Sequence, residues 1–149
     1  MTAKKKAVKK TAAVDAHDPH RVMKNGVART LGMRVLSVSR KKVVAEMPVD
    51  DRHMNRNGRV NGGALMAFAD ALGATGTVAN LPAGHRTTTL ESKTNFFAAG
   101  EAPVLKAVCK PLHIGRTTMV WQTTIRNADR RLVAVVTQTQ MVLPAPRDR

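Results

Sequence analysis

The middle of the chain contains an apolar segment that is typical of a buried helix. Residues 62–79 read GGALMAFADALGATGTVA, are rich in Ala, Leu, Met and Gly, and end before Pro82. Because apolar residues occupy nearly every face of a helix with this sequence, we expect a central helix that is buried all round. Gly73 and Gly76 each cost about 1 kcal/mol relative to Ala inside a helix, so we expect them to allow close approach by another element.

The segments that flank this helix have strand patterns. Four strands are expected after it, over residues 87–97, 104–114, 117–127 and 132–143. The last two alternate apolar and polar positions with a period of two and are rich in β-branched residues. Before the helix, residues 32–49 predict a hairpin with a basic turn at Arg40. This order predicts an α+β fold in which an antiparallel β-sheet covers the central helix.

Two segments before the central helix lack strand patterns. Asp18 and Pro19 offer a helix cap and a proline at the first helical position, and we expect the short helix to close at Gly26. Residues 50–59 are polar, show no periodicity and predict a loop. His53 in this loop could lie near a functional site, but exposure to solvent is the expected position.

The length of 149 residues fits one domain, and a hydrophobic share of 43% is enough to build a core. We expect residues 1–17 to form a disordered basic tail. Residues 18–144 are predicted to be a single domain, and residues 145–149 a short C-terminal tail.

The charge of the chain indicates an anionic partner. Lys and Arg number 25 against 10 Asp and Glu, which gives a net charge of +15. Residues 1–13 contain five of the lysines, so the remainder, at +10, is still basic. One possible function is therefore association with nucleic acid through the Lys-rich tail. In that case, deleting residues 1–13 would abolish a salt-sensitive binding to DNA.

Three sequence features indicate where in the cell the protein is expected: its cysteine content, its longest apolar segment and its N-terminal region. The single Cys109 cannot form an internal disulfide and is expected to be a buried core residue, so a reducing cytoplasm is the expected location. Residues 60–84 carry only one charged residue, but their polar residues, proline and glycines favour a buried helix over a membrane span. Residues 7–30 lack the apolar core of a signal peptide.

Asp70 is the one charged residue of the apolar segment. An ionised carboxylate there costs desolvation energy unless it is paired or used. No Lys or Arg lies one helical turn away, because positions 66, 67, 73 and 74 are Met, Ala, Gly and Ala. Asp70 therefore either has a function or faces solvent at the helix surface, and both interpretations remain open at this point.

Gly62 and Gly63 begin the same helix. First-turn N–H groups beside the positive end of the helix dipole suit an oxyanion or a polarised carbonyl, although a flexible turn is the simpler alternative. Eight residues of helix separate Gly62 from Asp70, which is ~12 Å at the usual helical rise. If both residues act on one carbonyl, they must come from two subunits of a symmetric dimer.

The string N-x-N-G-x-V-N-G-G-A-L-x-A-x-A-D, from Asn55 to Asp70, resembles a signature of hotdog-fold acyl-CoA thioesterases. The relevant types are the phenylacetate-degradation and 4-hydroxybenzoyl-CoA thioesterases. The strand T-x-E-x-K-x-N-F-F that starts at Thr89 and the string His-Ile-Gly-Arg-Thr that starts at His113 match in register. The resemblance covers about residues 20–143 and implies a hotdog fold.

The resemblance also implies roles for matched residues. Asp70 would activate or orient the water that attacks the thioester, or attack it directly, and Gly62 of the opposite subunit would polarise the carbonyl. Asn55 would help to hold the substrate, and Thr89 would help to place the water. Asn61 stands where the family commonly has His; it can donate a hydrogen bond but cannot transfer a proton at neutral pH.

A nucleotide-bearing substrate would account for part of the basic charge. Coenzyme A carries phosphates that Arg116 and the neighbouring backbone amides could bind, although a solvated charge at a strand end is equally compatible with the sequence. The predicted substrate-binding residues are Gly63, Gly115, Arg116 and Thr117. The predicted partners are an acyl-CoA and further copies of the chain, as a homodimer or homotetramer.

The sequence contains neither a metal-binding motif nor a serine-nucleophile motif. The histidines show no paired metal-binding spacing, and no serine-nucleophile motif is present. The sequence therefore predicts no metal and no cofactor other than coenzyme A as part of the substrate. The expected activity is hydrolysis of an acyl-CoA thioester to a carboxylic acid and free CoA. Because of Asn61, a non-catalytic acyl-CoA-binding domain is the main alternative.

Overall fold

A long helix packed against a six-stranded sheet accounts for most of residues 18–145, the part of the chain described by this computed structural model. The strands are β1 (Arg34–Ser39), β2 (Lys42–Pro48), β3 (Arg86–Phe96), β4 (Val104–Ile114), β5 (Thr118–Asn127) and β6 (Leu132–Leu143). The α-helices are α1 (Gly26–Thr30) and α2 (Gly62–Val78). Two 3-10 helices span Pro19–Lys24 and Asp51–His53.

The sheet has the strand order β1-β2-β4-β5-β6-β3, and every neighbouring pair is antiparallel. Helix α2 packs against its inner face. Strand β3 pairs along its length with β6, from Arg86 opposite Leu143 to Phe96 opposite Ala134, and forms one edge of the sheet within the described residues. The predicted α+β fold with an antiparallel sheet around a central helix is confirmed.

The core forms where the inner face of the sheet meets α2. A Cβ built on Gly76 would lie 2.7 Å from the ring of Trp121, and the Trp121 Nε1–H donates to Thr77 Oγ1 at 2.9 Å. A Cβ on Gly73 would overlap the side-chain amide of Gln138. Both glycines therefore allow β5 and β6 to approach the helix, as predicted. Cys109 is fully buried in this core, also as predicted.

One face of α2 is open, so the prediction of a helix buried all round is wrong. The residues that are not fully buried recur every three or four positions, namely Gly62, Gly63, Met66, Ala67, Asp70, Ala74 and Val78. This spacing places them on a single helical face. The sheet covers only the opposite face, while the open face is also mostly apolar in sequence.

The N-terminal helix also differs from the prediction. Asp18 accepts a hydrogen bond from the His20 N–H at 2.9 Å and caps the 3-10 helix Pro19–Lys24. Gly26 does not close this helix but begins α1, with a φ of +54°. This left-handed conformation, which glycine adopts at little cost, lets the chain turn between two short helices.

His53 is buried, contrary to the exposed position predicted for it. The loop contains a 3-10 turn, and His53 retains only 1% of its exposed area. Its Nδ1 accepts from the Asp50 N–H at 3.1 Å, so Nε2 carries the proton and donates to the Leu31 carbonyl at 2.8 Å. The imidazole thus satisfies one backbone group in each of two loops, the Asp50 N–H and the Leu31 carbonyl.

Over residues 18–145, none of the helices is long and apolar enough to cross a membrane. In the same range, no group of three or more His, Cys, Asp and Glu side chains is arranged to hold a metal ion. The predicted tail over residues 1–17, and residues 146–149 of the predicted C-terminal tail, lie outside the described part of the chain.

Candidate active site

Asp70 lies on the open face of α2 and lines a recess of about 290 Å³. The recess separates α2 from the N-terminal helical segment. Its other lining residues are apolar except for one Asn, and they are Val22, Asn25, Val27, Ala28, Ala67, Ala71 and Ala74. The Asp70 carboxylate is therefore half-buried beside a small apolar space.

Thr89, on β3, is the nearest hydrogen-bond partner of this carboxylate. Its hydroxyl donates to Asp70 Oδ1 at 2.7 Å. The register between β3 and β6 shifts between Thr89 and Glu91, so Leu90 is the extra residue of a bulge beside the site. The structure thus brings together two of the residues that the sequence singled out.

Two buried glutamines of β6 complete the surroundings of Asp70, and sequence reasoning missed both. Gln140 is 1% exposed, and its Nε2 donates to Thr89 Oγ1 at 2.8 Å. Gln138 is fully buried, and its Nε2 lies 3.4 Å from both Asp70 O and Asp70 Oδ1. The sequence did carry a signal for both glutamines. In the period-two pattern of β6, positions 138 and 140 lie on the same inward face as Val136 and Val142.

The N-terminal end of α2 holds the predicted carbonyl-binding residues. Asn61 caps the helix, and its Oδ1 accepts from the Gly63 N–H at 2.7 Å. Gly62 lies under the exposed ring of Phe96, since a Cβ built on Gly62 would be 3.2 Å from Phe96 Cζ. The Gly63 amide is thus already paired within the chain, and the roles of Gly62, Gly63 and Asn61 toward substrate stay predictions.

Asn55 organises the loop that precedes this helix end. Its Oδ1 accepts from the backbone N–H of Asn57 at 2.8 Å and of Arg59 at 3.2 Å. At the start of the loop, a side-chain hydrogen bond from Arg52 lowers the pKa of Asp50 to about 2. These contacts leave the Asn55 side-chain amide nitrogen as the group that could reach a substrate, and that role remains a prediction.

The predicted phosphate-binding residues Gly115, Arg116 and Thr117 form the turn between β4 and β5. The Gly115 N–H donates to the Thr118 carbonyl, and the Thr117 carbonyl accepts from the Val142 N–H. This end of β6 is far from Gly62, whose neighbour Phe96 pairs with Ala134.

Eight residues of strand separate Ala134 from Val142, or ~26 Å at the usual rise. Asp70 lies between these two ends, about 12 Å along α2 from Gly62. One chain therefore holds the predicted site residues in separate groups, with Asp70 and Thr89 in the middle.

Comparison with known proteins agrees with this architecture. ComA2 of Bacillus subtilis, a protein named as an esterase, is 32% identical over 124 residues, which span 81% of this chain and 97% of ComA2. A 1,4-dihydroxy-2-naphthoyl-CoA hydrolase of Escherichia coli is 30% identical over 66% of this chain and 73% of its own length. A hypothetical thioesterase of Streptococcus pneumoniae, crystallised with coenzyme A, superposes with a TM-score of 0.70 at 27% identity, covering 77% and 88% of the two chains.

The antiparallel sheet wrapped around the long helix α2 is the architecture of a hotdog fold. The family model of the thioesterase superfamily matches residues 57–134, just over half of the chain, and the chain belongs to this family. The resemblance seen in the sequence is thereby confirmed, and the protein is a hydrolase that acts on thioesters.

Proposed function

We infer that this protein hydrolyses acyl-CoA thioesters to a carboxylic acid and free CoA. The observation that carries this inference is the Asp70 carboxylate, held by Thr89 at the edge of an apolar recess. The recess offers space for an apolar acyl group next to the carboxylate. The Escherichia coli relative and the coenzyme A of the Streptococcus pneumoniae structure support CoA as the thiol.

Asp70 acts in this reaction as the base. Thr89 occupies Oδ1, and among the described residues no hydrogen bond reaches Oδ2, which is therefore available to a water molecule. The water oxygen bonds to the thioester carbon while one of its protons moves to Asp70. The carbon–sulfur bond then breaks, and the departing CoA thiolate takes up that proton from Asp70, which restores the carboxylate. General base catalysis of this kind contributes about 10²–10⁴ in rate.

A second copy of the chain completes the site. The Gly62 N–H that would polarise the carbonyl is too far from Asp70 within one chain, at ~12 Å. Large apolar side chains lie exposed around the open face of α2 and along β3, namely Met66, Leu90, Phe96 and Phe97. A homodimer that covers them would bring Gly62 of one subunit toward Asp70 of the other, and a homotetramer would pair two such dimers.

Coenzyme A supplies the anion that the basic surface would bind. Arg116 is exposed at the β4–β5 turn, where its guanidinium and the backbone amide of Thr117 could bind the phosphates, whereas the Gly115 N–H already donates to the Thr118 carbonyl. The single cysteine, Cys109, is buried and forms no disulfide within the chain, which fits a reducing cytoplasm as the setting.

A non-catalytic acyl-CoA-binding domain is the second candidate, and Asn61 favours it. This residue caps α2 through Oδ1 and brings no titratable group to the carbonyl-binding end of the helix. Such a domain would bind acyl-CoA at the same recess without releasing CoA.

The two candidates are separated by measuring thiol release from a panel of aryl and fatty acyl-CoAs. We expect steady release by the wild type and a loss of at least a hundredfold in Asp70→Asn. Glu91→Gln is the matched control, because Glu91 is a carboxylate of β3 that faces away from the site toward Thr139. Wild-type rates in Asp70→Asn would remove Asp70 from the mechanism. Tight binding without release on every member would identify a binding domain.

A further inference from the structure

Gln140 lies in the middle of a chain of hydrogen bonds that runs along the inner face of the sheet from Thr87 to Asp70. Thr87 Oγ1 donates to Gln140 Oε1 at 3.0 Å. Gln140 Nε2 donates to Thr89 Oγ1 at 2.8 Å, and Thr89 Oγ1 donates to Asp70 Oδ1 at 2.7 Å. The four groups come from three elements, β3, β6 and α2.

The chemistry of the groups gives this chain a single direction. A carboxylate only accepts, so the one proton of the Thr89 hydroxyl must point to Asp70. Thr89 Oγ1 must then accept from Gln140, which requires the amide NH₂ to face Thr89 and the amide oxygen to face Thr87. Thr87 in turn must donate. No other orientation of the Gln140 amide satisfies all three contacts.

We propose that Gln140 is a positioning residue of the thioesterase reaction, acting only through Thr89. A hydroxyl without this amide could rotate among its staggered positions. With Gln140 donating to its lone pair, the hydroxyl keeps its proton on Asp70 Oδ1 and so fixes the carboxylate with Oδ2 free for the attacking water. The proposal rests on the function inferred above, since it assigns Gln140 a part in the same reaction.

The buried setting supports a fixed amide. Gln140 is 1% exposed, and its neighbour on the same inward face, Gln138, is fully buried. Gln138 Nε2 lies 3.4 Å from Asp70 Oδ1, on the buried side of the carboxylate. Gly73 leaves the space that the Gln138 amide occupies. Two buried amides would be costly in a core that needed only packing.

A double-mutant cycle tests the proposal through kcat and KM for the best acyl-CoA of the panel. Gln140→Met keeps the shape of the side chain and removes the amide, and should lower kcat about tenfold with KM changed by less than about twofold. In a Thr89→Val background the same substitution should change kcat by less than about twofold. In a Thr89→Ser background, which restores the hydroxyl, the tenfold effect should return.

Thr87→Val provides a second route if Gln140→Met folds poorly. It removes only the anchor of the amide oxygen, and should lower kcat about threefold in the presence of Thr89 and not in its absence. Thr139→Val, on the outer face of β6 next to Gln140, is the matched control and should behave as the wild type.

Each result of the cycle decides a different claim. Equal losses from Gln140→Met in the wild-type and Thr89→Val backgrounds would overturn the proposal, because a structural role alone predicts additive effects. A raised KM with unchanged kcat would also overturn it. Absence of thiol release by the wild type would instead overturn the inferred function, and the role of Gln140 with it.

Discussion

Asn61 Oδ1 accepts the Gly63 N–H at 2.7 Å, so one side chain both starts helix α2 and borders the predicted carbonyl-binding site. The cap uses the oxygen of the amide. It thereby orients the other end of the amide, the Nδ2 donor, away from the helix end. A residue with the oxygen but without this donor would separate the structural role of Asn61 from its role toward the substrate.

Two substitutions of Asn61 should differ in stability but have similar effects on activity. Asn61→Asp keeps the cap and adds a negative charge at the helix N-terminus, so stability should be retained or rise slightly. Asn61→Ala should lose about 1 kcal/mol in the free energy of unfolding.

Both substitutions of Asn61 should lower kcat/KM about tenfold if the side-chain amide donates to the thioester. Urea unfolding and thiol release measure the two effects. Full activity in Asn61→Asp would confine Asn61 to capping.

The recess beside Asp70 should set the size of the acyl group. Ala74 lines it from α2, and Ala74→Leu would place three additional carbon atoms in a space of about 290 Å³. We expect kcat/KM for the largest good acyl-CoA to fall about tenfold or more relative to the smallest, because misfit in an apolar pocket is worth about 1–3 kcal/mol.

Val78→Leu is the matched control for this substitution, since Val78 lies one turn further along the same open face and does not line the recess. Its ratio of kcat/KM between large and small acyl-CoAs should stay at the wild-type value. If Ala74→Leu also leaves that ratio unchanged, the acyl group does not bind in this recess.

Much of the fold could be predicted because its signals are local. The strands β4 and β6 begin and end where alternation and turn residues predict them. The burial of His53 could not be predicted, because it depends on the Leu31 carbonyl, which lies 22 residues earlier in the chain. A polar loop residue looks exposed until the loop that packs over it is known.

The candidate site shows the same division between local and long-range information. Asp70 could be found from its isolation in an apolar helix. Its partners could not, because Gln138 is 68 residues away and reaches Asp70 only through the packing of β6 on α2. The open face of α2 could not be predicted either. An apolar helix face has the same sequence pattern whether the chain itself covers it or leaves it uncovered.

Gly76 should tolerate no side chain. A Cβ there would lie 2.7 Å from the Trp121 ring, which is fully buried and tied to Thr77 through Nε1. We expect Gly76→Ala to lower the free energy of unfolding by about 1–3 kcal/mol despite the better helix propensity of Ala. Thermal unfolding measures the loss. The fluorescence of Trp121, the single tryptophan, should shift as the ring moves.

Ala67→Ser on the open face of the same helix is the control for Gly76→Ala. It changes the propensity of the helix at a position that is only partly buried against the edge of the core, so its effect on stability should be smaller, at about 0.5 kcal/mol. Equal stability of Gly76→Ala and the wild type would show that the Trp121 ring can move away from the added methyl group without cost.

The buried thiol of Cys109 should make stability depend on pH in the alkaline range. Burial raises its pKa from 9.0 to about 12. Between these values the unfolded chain loses a proton that the folded chain keeps. The stabilisation is therefore complete below about pH 9 and falls by about 1.4 kcal/mol per pH unit above it.

Cys109→Ala isolates this effect, because all other groups titrate alike in both proteins. The variant should be less stable than the wild type at pH 8, since it leaves a small cavity. That difference should shrink by about 2–3 kcal/mol between pH 9 and pH 11 in urea unfolding experiments. Parallel pH profiles for the two proteins would mean that the Cys109 thiol ionises as readily in the folded chain as in the unfolded one.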